Sequence, residues 1–137
     1  MAAPITAVET ALYTKLSTDS GIITALGGTA IYNKRAPQNP PDKYIVFQWQ
    51  GGGDENDRPH RARSVVYFVA GVAGTQAAAA TIDTAIDNAL HNSSLAATGW
   101  TNSWLARDRD INFVEESADG VTRFTVGGTY RIRMEII

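Results

Sequence analysis

The chain has 137 residues, of which 44% are hydrophobic and 19% charged, which indicates one globular domain and not a disordered chain. Twelve basic against fourteen acidic side chains leave a formal net charge of −2, which argues against a protein whose main role is to coat nucleic acid or an acidic membrane. The lack of cysteine excludes disulfides, thiolate metal sites and cysteine nucleophiles. No run is long and apolar enough for a spanning helix or a secretory signal, so we expect a protein that is neither in a membrane nor secreted.

Two helices are predicted at the start of the chain. Apolar residues recur there at helical spacing over about residues 4–17, at Ile5, Val8, Leu12 and Leu16. Asp19 is placed to cap a second, short helix from Ser20 to Leu26. Gly27 and Gly28 then supply a left-handed stop.

Two strands and two loops follow. Ile31-Tyr32 is predicted to be a short strand, and Ala36 to Lys43 contains three prolines, which favour an extended surface loop. Tyr44 to Gln50 alternates between two faces, as a strand does. Gly51 to His60 consists of glycines and charged residues without an apolar anchor, so we expect a mobile loop over 51–60.

A central strand and a second long helix come next. Arg61 to Ala70 becomes apolar on both faces from Val65 onward, which is typical of a central strand. Thr75 is the expected N-cap of the helix after it. On this helix an apolar stripe is predicted to be buried, while Asp83 and Asp87 are expected to face solvent.

The last part of the chain is predicted to be a hairpin. From Phe124 to Ile136 the two faces alternate without interruption through Gly127-Gly128, so these glycines lie inside a strand, where a bulge or a close backbone approach is expected. Asp119-Gly120 is a turn signal that pairs this strand with Trp104 to Glu116. The partner strand contains Arg107 to Asp110, which is too polar to be buried on either face and is expected to extend beyond the core.

This element order predicts an α+β domain: one sheet, built mostly from hairpin-connected strands, with two main helices packed on one face. No internal repeat interrupts residues 1–137, so a single domain is expected.

No constellation of residues favours catalysis or metal binding. The only histidines are His60, in the charged loop, and His91, whose place in a last helical turn is explained by the helix dipole. Asp54, Glu55, Asp57 and His60 lie close in sequence but fit no calcium-loop pattern. We therefore predict no catalytic, cofactor-binding or metal-binding residue, although a hydrolase that relies on His60 stays an alternative.

A small-ligand site is a second alternative, because Gly71 to Thr75 joins a strand to a helix, where phosphates can bind. This segment lacks the lysine of a P-loop and the third glycine of a dinucleotide fingerprint. A plain turn with a threonine cap is the better interpretation.

A run of alternating charge suits contacts between subunits. Arg107-Asp108-Arg109-Asp110 carries both signs and is self-complementary, and arginine is enriched at protein interfaces because its planar fork pairs with carboxylates. A solvated strand end explains the same run equally well.

Taken together, these segments resemble the tail terminator (tail completion) proteins of long-tailed phages and phage-derived elements, the family that includes lambda-type terminators. The shared features are a "D…I..LGG..IY" segment after the first helix, an "RAPQ…P..YIVF" passage, an "R.R.SV.F.V.G" strand, an "ID.AL" helix and a closing "DG.TRF…TYRI" hairpin. The order and spacing of these segments carry the likeness over nearly the whole chain. GGGDENDRPH and the segment from Trp100 to Asp110 depart from the pattern.

The resemblance implies a single mixed, mostly antiparallel sheet flanked by helices, in a structural virion protein without enzymatic activity or cofactor. It implies a homo-oligomer, a hexameric ring that caps the tail tube at the head-proximal end of the tail. The ring stops tube polymerisation and offers a joining face to the head or neck connector. DNA would pass through the lumen without sequence-specific binding, and assembly would take place in the host cytoplasm without a membrane.

A cyclic ring needs two different matching surfaces on each subunit. We expect the loop at 51–60, the charged run and the proline-rich loop to supply them. The candidate interface residues are Gly52, Asp54, Glu55, Asp57, Arg58, His60, Arg61, Arg107, Asp108, Arg109, Asp110, Pro37 and Pro40. Another ring-forming head–tail connector or a tail-tube subunit remains the alternative within virion assembly.

Overall fold

The secondary structure follows the predicted order of elements. A computed structural model describes residues 5–55, 62–116 and 120–136. The helices and strands are α1 (Ile5–Thr18), α2 (Ser20–Leu26), β1 (Ile31–Asn33), β2 (Tyr44–Glu55), β3 (Ala62–Ala73), α3 (Gln76–Leu90), β4 (Trp100–Glu116) and β5 (Thr122–Ile136). None of the helices in these ranges is long and apolar enough to cross a membrane.

The predicted caps set the ends of the helices. The Asp19 carboxylate accepts the N–H of Ile22 at 3.0 Å at the start of α2. Gly27 ends that helix in the left-handed region at φ 71°, which glycine adopts without steric cost. The Thr75 hydroxyl accepts the N–H of Ala78 at 3.2 Å and opens α3.

The five strands form one sheet in the order β1-β2-β3-β5-β4. Only β1 and β2 run parallel; β2–β3, β3–β5 and β4–β5 are antiparallel. The predicted α+β class, with a single mixed and mostly antiparallel sheet, is confirmed. Because β5 lies between β3 and β4, the chain crosses from β3 to the far edge through α3 before β5 fills the place left open.

The hydrophobic core lies between one face of the sheet and the helices. Alternate residues of β3 and β5 point into it, and one stripe of each long helix packs against them. Its fully buried members include Leu12, Leu16, Val65, Tyr67, Val69, Ile82, Ile86, Leu90, Tyr130, Ile132 and Met134. The opposite, helix-free face carries half-buried side chains such as Val66 and Phe68 of β3, so α1, α2 and α3 all cover the same side.

The strand β2 is longer than the sequence pattern predicts. Gly51 to Glu55, expected to be part of a mobile loop, instead pair with Val66 to Ala62 of β3 after an irregularity between Trp49 and Gly51. A glycine offers the same backbone donor and acceptor to a ladder as any residue, so a neighbouring strand can hold it without an apolar side chain. Residues 56–60 of that expected loop, and Arg61 of the strand expected after it, lie outside the described residues.

Two close approaches explain glycines inside strands. A Cβ on Gly127 would overlap the carbonyl oxygen of Val69 and lie 2.5 Å from the Cα of Ala70. A Cβ on Gly71 would lie 2.5 Å from Cγ2 of the buried Ile82 on α3. The first confirms the predicted close backbone approach, and the second brings α3 directly onto β3.

Candidate subunit interface

The side chain of Arg107 on β4 donates through all of its N–H groups within its own subunit. Nη1 and Nη2 bind the two oxygens of Asp83 on α3, at 2.8 and 3.1 Å, and Nε binds Asp110 at 2.7 Å. The remaining donors reach the Tyr130 hydroxyl at 3.2 Å and the Gly127 carbonyl at 2.7 Å. Arg107 therefore joins α3, β4 and β5, and no N–H remains for a second subunit.

This arrangement overturns two predictions. The side chains of Arg107 and Asp83 are each only 16% exposed, whereas Arg107 was expected to extend beyond the core and Asp83 to face solvent. The ion pair between Arg107 and Asp83 could not be predicted from the sequence, because the two residues lie on different elements and each has the spacing of a surface charge on its own element. A bidentate carboxylate lets a guanidinium approach the core because every donor stays satisfied.

The electrostatics of the cluster match its geometry. Burial alone would lower the pKa of Arg107, but its hydrogen bond to Asp83 and the charges of Tyr130 and Asp83 outweigh that effect and raise it. Burial raises the pKa of Tyr130, against the opposing charge of Arg107. The Tyr130 hydroxyl stays protonated and donates to Asp87 at 3.1 Å.

The end of α3 covers part of the outer edge of β4. Asn92 donates its N–H to the carbonyl of Leu105 at 2.9 Å. The ring nitrogen Nδ1 of His91 accepts the N–H of Arg107 at 3.1 Å. The role of His91 is thus a contact with an edge strand, in addition to its place at the helix end.

Two of the predicted interface elements meet on the helix-free face. A groove of about 580 Å³ is lined by Gly51 to Gly53 of β2, by Ser64 and Val66 of β3, by Thr129 and Arg131 of β5, and by Asp108 and Arg109 of β4. Asp108 pairs with Arg131 at 3.4 Å across its rim. The groove unites Gly52 with Asp108 and Arg109, which the sequence had separated by more than fifty residues.

The other predicted interface residues are placed elsewhere. Pro37 is exposed and Pro40 half-buried in the loop between β1 and β2. That loop leads to Asp42 and Lys43, which lie beside Arg123 of β5, toward the opposite end of β2 from Gly52. Asp110 is 88% exposed on β4. The backbones of Asp54 and Glu55 belong to β2, and Asp57, Arg58, His60 and Arg61 lie outside the described residues.

A second polar cluster, which the sequence analysis missed, fastens α1 to the sheet. Glu9 accepts hydrogen bonds from the Tyr67 hydroxyl at 3.1 Å and from the Asn33 side chain at 2.9 Å. Burial, the charge of Glu9 and this hydrogen bond all raise the pKa of Tyr67. The signal available in the sequence was that Glu9 is the one acidic residue of α1.

The geometry of the described residues adds no support for the small-ligand, metal or hydrolase alternatives. The hydroxyl of Thr75 is used as the cap of α3, and the hollow of about 230 Å³ beside it opens between Lys43 and Arg123. Among the described residues no three metal-ligating side chains come together. The hydrolase hypothesis rested on His60, which the described ranges do not include.

The comparison that decides the family covers most of the chain. The model of the tail completion protein gp17 family matches residues 10–135. The chain belongs to this family. Tail completion proteins are structural components of the virion tail and not enzymes, so this protein is a structural tail protein of a phage-type particle.

Solved structures share the fold of this tail completion protein. A chain from the virion of a native gene transfer agent (GTA) particle superposes with a TM-score of 0.80 at 20% identity, covering 98% of this chain and 99% of its own. Another solved chain gives a TM-score of 0.54 at 14% identity, over 93% and 94% of the two chains. Among curated protein sequences none matches significantly.

Proposed function

We propose that identical copies of this tail completion protein form a hexameric ring that caps the head-proximal end of the tail tube. The ring ends tube polymerisation and presents a joining face to the head or neck connector. The observation that carries this proposal is the family match over residues 10–135. The resemblance of the sequence to tail terminators supplies the ring and its position.

The geometry supports contacts between copies. The groove on the helix-free face has bare glycines at one side and charged side chains at the other, and Asp108 and Arg109 are exposed at its rim. Gly52, Asp108, Arg109, Asp110, Pro37 and Pro40 remain candidate contact residues. Arg107 is withdrawn from that set because its donors are used within the subunit.

From the sequence alone, we keep the candidates of the β2–β3 connection and its flanks: Asp54, Glu55, Asp57, Arg58, His60 and Arg61. DNA would pass through the ring without sequence readout. The net charge of −2 agrees with this, because a protein that grips nucleic acid needs a positive surface.

The test compares the purified protein alone with the protein mixed with purified tail tubes of the same particle. Native mass measurement gives the copy number, and electron microscopy shows where the protein sits. One ring of six copies at one end of each tube supports the proposal. Stacked rings would indicate a tube subunit, and binding to connectors but not to tubes would indicate a connector; either result contradicts the proposal.

A further inference from the structure

Among residues 5–55, 62–116 and 120–136, part of the backbone edge of the sheet is left unpaired on each side. β4 forms one edge over its full length, and β1 covers only Ile45 to Phe47 of β2 at the other. Within the described residues, no backbone group of 48–55 or 108–116 forms a backbone hydrogen bond outside its own ladder. An uncovered edge is a template for pairing with another chain, and monomeric proteins usually block it.

The β4 edge is blocked only in its first half. His91 and Asn92 bind the backbone at Arg107 and Leu105, and a register irregularity follows between Arg107 and Arg109. Beyond it Phe113 and Val114 are 40% and 58% exposed, between the exposed charges of Asp108 to Asp110 on one side and of Glu115 and Glu116 on the other. Blocking of the first half contrasts with exposed apolar side chains in the second, which is the pattern of a contact surface.

The middle of the β2 edge carries no charged residue and no proline. These two devices, which natural edge strands use against unwanted pairing, are absent from Gln48 to Gly53, whereas a bulge lies between Trp49 and Gly51 and the charges of Asp54 and Glu55 follow at the end of the strand. Additional Cβ atoms at Gly51 and Gly53 would meet nothing within 4 Å, whereas one at Gly52 would lie 2.5 Å from the carbonyl oxygen of Ser64 on β3. Because Gly51, Gly52 and Gly53 have no side chains, a second backbone can approach this part of the strand closely.

We infer that β4 of one copy, from Asp108 to Glu116, pairs with β2 of the next copy, from Gln48 to Glu55. The two segments are similar in length, roughly 25–30 Å at ~3.3 Å per residue. In the sheet β2 and β4 run in opposite directions, so copies placed side by side in one orientation bring them together antiparallel. The contact joins two different surfaces, as a closed ring requires.

The two segments lie at different heights in the sheet. Gly51 of β2 pairs with Val66 of β3, which in turn pairs with Arg131 of β5. On the other side of β5, Asn112 of β4 pairs with Val126. These positions are five residues apart on β5, so neighbouring copies are offset by about 17 Å along the strands. Closed sheets absorb such an offset by tilting their strands to the axis, so the strands of the ring are inclined.

This inference rests on the proposed ring, and its test is disulfide trapping. The chain contains no cysteine, so introduced thiols are the only ones. Gly51→Cys is combined in turn with Ile111→Cys, Asn112→Cys, Phe113→Cys and Val114→Cys, and each assembled variant is oxidised. Because a disulfide needs Cα atoms about 4.4–6.8 Å apart, we expect one or two of the four pairs to give a ladder of linked oligomers.

Matched variants separate the edge contact from chance collisions. The single Gly51→Cys variant and the pair Gly51→Cys with Thr18→Cys, at the exposed end of α1, are expected to give no ladder. Val114→Lys is expected to weaken assembly at least tenfold, because it places a charge in the paired edge. Thr101→Lys, on the exposed but blocked half of the same strand, is expected to change assembly less than twofold.

The outcomes separate the two proposals. A ladder together with a ring supports both. A ring that gives no ladder in any of the four pairs, or that forms equally well with Val114→Lys, overturns the edge contact and leaves the ring. Cross-links from β4 to another tail protein instead of a second copy also overturn it. If no ring forms with or without tail tubes, the proposed function fails, and the edge contact fails with it.

Discussion

Arg107 and Asp83 form a forked pair, with Nη1–Oδ1 at 2.8 Å and Nη2–Oδ2 at 3.1 Å. The pair links the edge strand β4 to α3, the helix that packs on the middle of the sheet. It holds β4 against the fold at the point where the blocked half of that edge ends. A surface-like charge thus performs a structural role inside one subunit.

We expect Arg107→Ala to lower the free energy of unfolding by about 3 kcal/mol, because it leaves the carboxylate of Asp83 poorly solvated and unpaired. Urea unfolding of the monomer measures this loss. The neighbouring Arg109→Ala is the control, since Arg109 is exposed, and its effect should stay within about 0.5 kcal/mol. Equal losses of unfolding free energy in the two variants would show that the forked pair does not stabilise the fold.

Stability is expected to fall at alkaline pH through the buried tyrosines. Burial raises the pKa of both Tyr67 and Tyr130 above the usual value near 10. The folded state then holds these protons more tightly than the unfolded state does, so their contribution is complete below about pH 10 and is lost as pH rises further. Urea unfolding between about pH 9 and 11.5 measures the slope. An unchanged slope in a Tyr67→Phe/Tyr130→Phe variant would contradict this.

Gly71→Ala is expected to destabilise the fold by about 1–3 kcal/mol, because the added methyl group meets the buried Ile82 on α3. Gly53→Ala is the matched control in a neighbouring strand, where a Cβ meets nothing within 4 Å, and should change stability by less than about 1 kcal/mol. Thermal and urea unfolding compare the two. A Gly71→Ala protein as stable as the Gly53→Ala protein would mean that α3 can move away from the sheet at little cost.

Thr75→Ala is expected to cost about 1 kcal/mol, because it removes the acceptor for the N–H of Ala78. Hydrogen exchange at Ala78 should accelerate along with the loss of global stability. Thr81→Ala serves as the control, since its hydroxyl bonds a carbonyl within the exposed middle of the same helix. A cap effect no larger than that of Thr81→Ala would remove Thr75 as the start signal of α3.

Replacing residues 56–61 by a glycine-serine linker of equal length should leave the fold intact and weaken ring or tail association at least tenfold, or about 1.4 kcal/mol. The reason is that Asp57, Arg58, His60 and Arg61 are candidate contacts. Circular dichroism monitors folding, and pelleting with tail tubes monitors association. Complete tails assembled from the replaced protein would contradict the role of this segment.

A larger deletion shows why the strand bounds matter. Removing Gly52 to Arg58 would have spared the fold if Gly51 to His60 were all loop. Since Gly52 to Glu55 pair with β3, this deletion is expected to weaken folding as well as association. The linker replacement of 56–61 is therefore the cleaner experiment.

The sequence predicted features that depend on neighbouring residues. The caps at Asp19 and Thr75 and the turn at Gly27 act within one helical turn, and the alternation of β5 records a face that is buried along its length. These local patterns also gave the α+β class and supported the resemblance to tail terminators, which the family match confirmed.

The features that were missed depend on contacts between distant parts of the chain. The extension of β2 through Gly51 to Gly53 needs the backbone of β3, and no side-chain pattern reports it. The burial of Arg107 needs Asp83, which lies on another element and has an ordinary surface spacing on its helix. The groove on the helix-free face follows from the strand order, which the sequence pattern did not specify.

The position of β5 between β3 and β4 has a consequence for synthesis of the chain. β3 ends at Ala73, but the strand that pairs with its second side begins only at Thr122. While α3 and β4 are being synthesised, β3 can pair with β2 on one side, but its other edge has no partner strand. The sheet is complete only after β5 emerges, so a nascent chain is vulnerable to aggregation over that interval, and β4 joins the sheet as its edge strand only at the end.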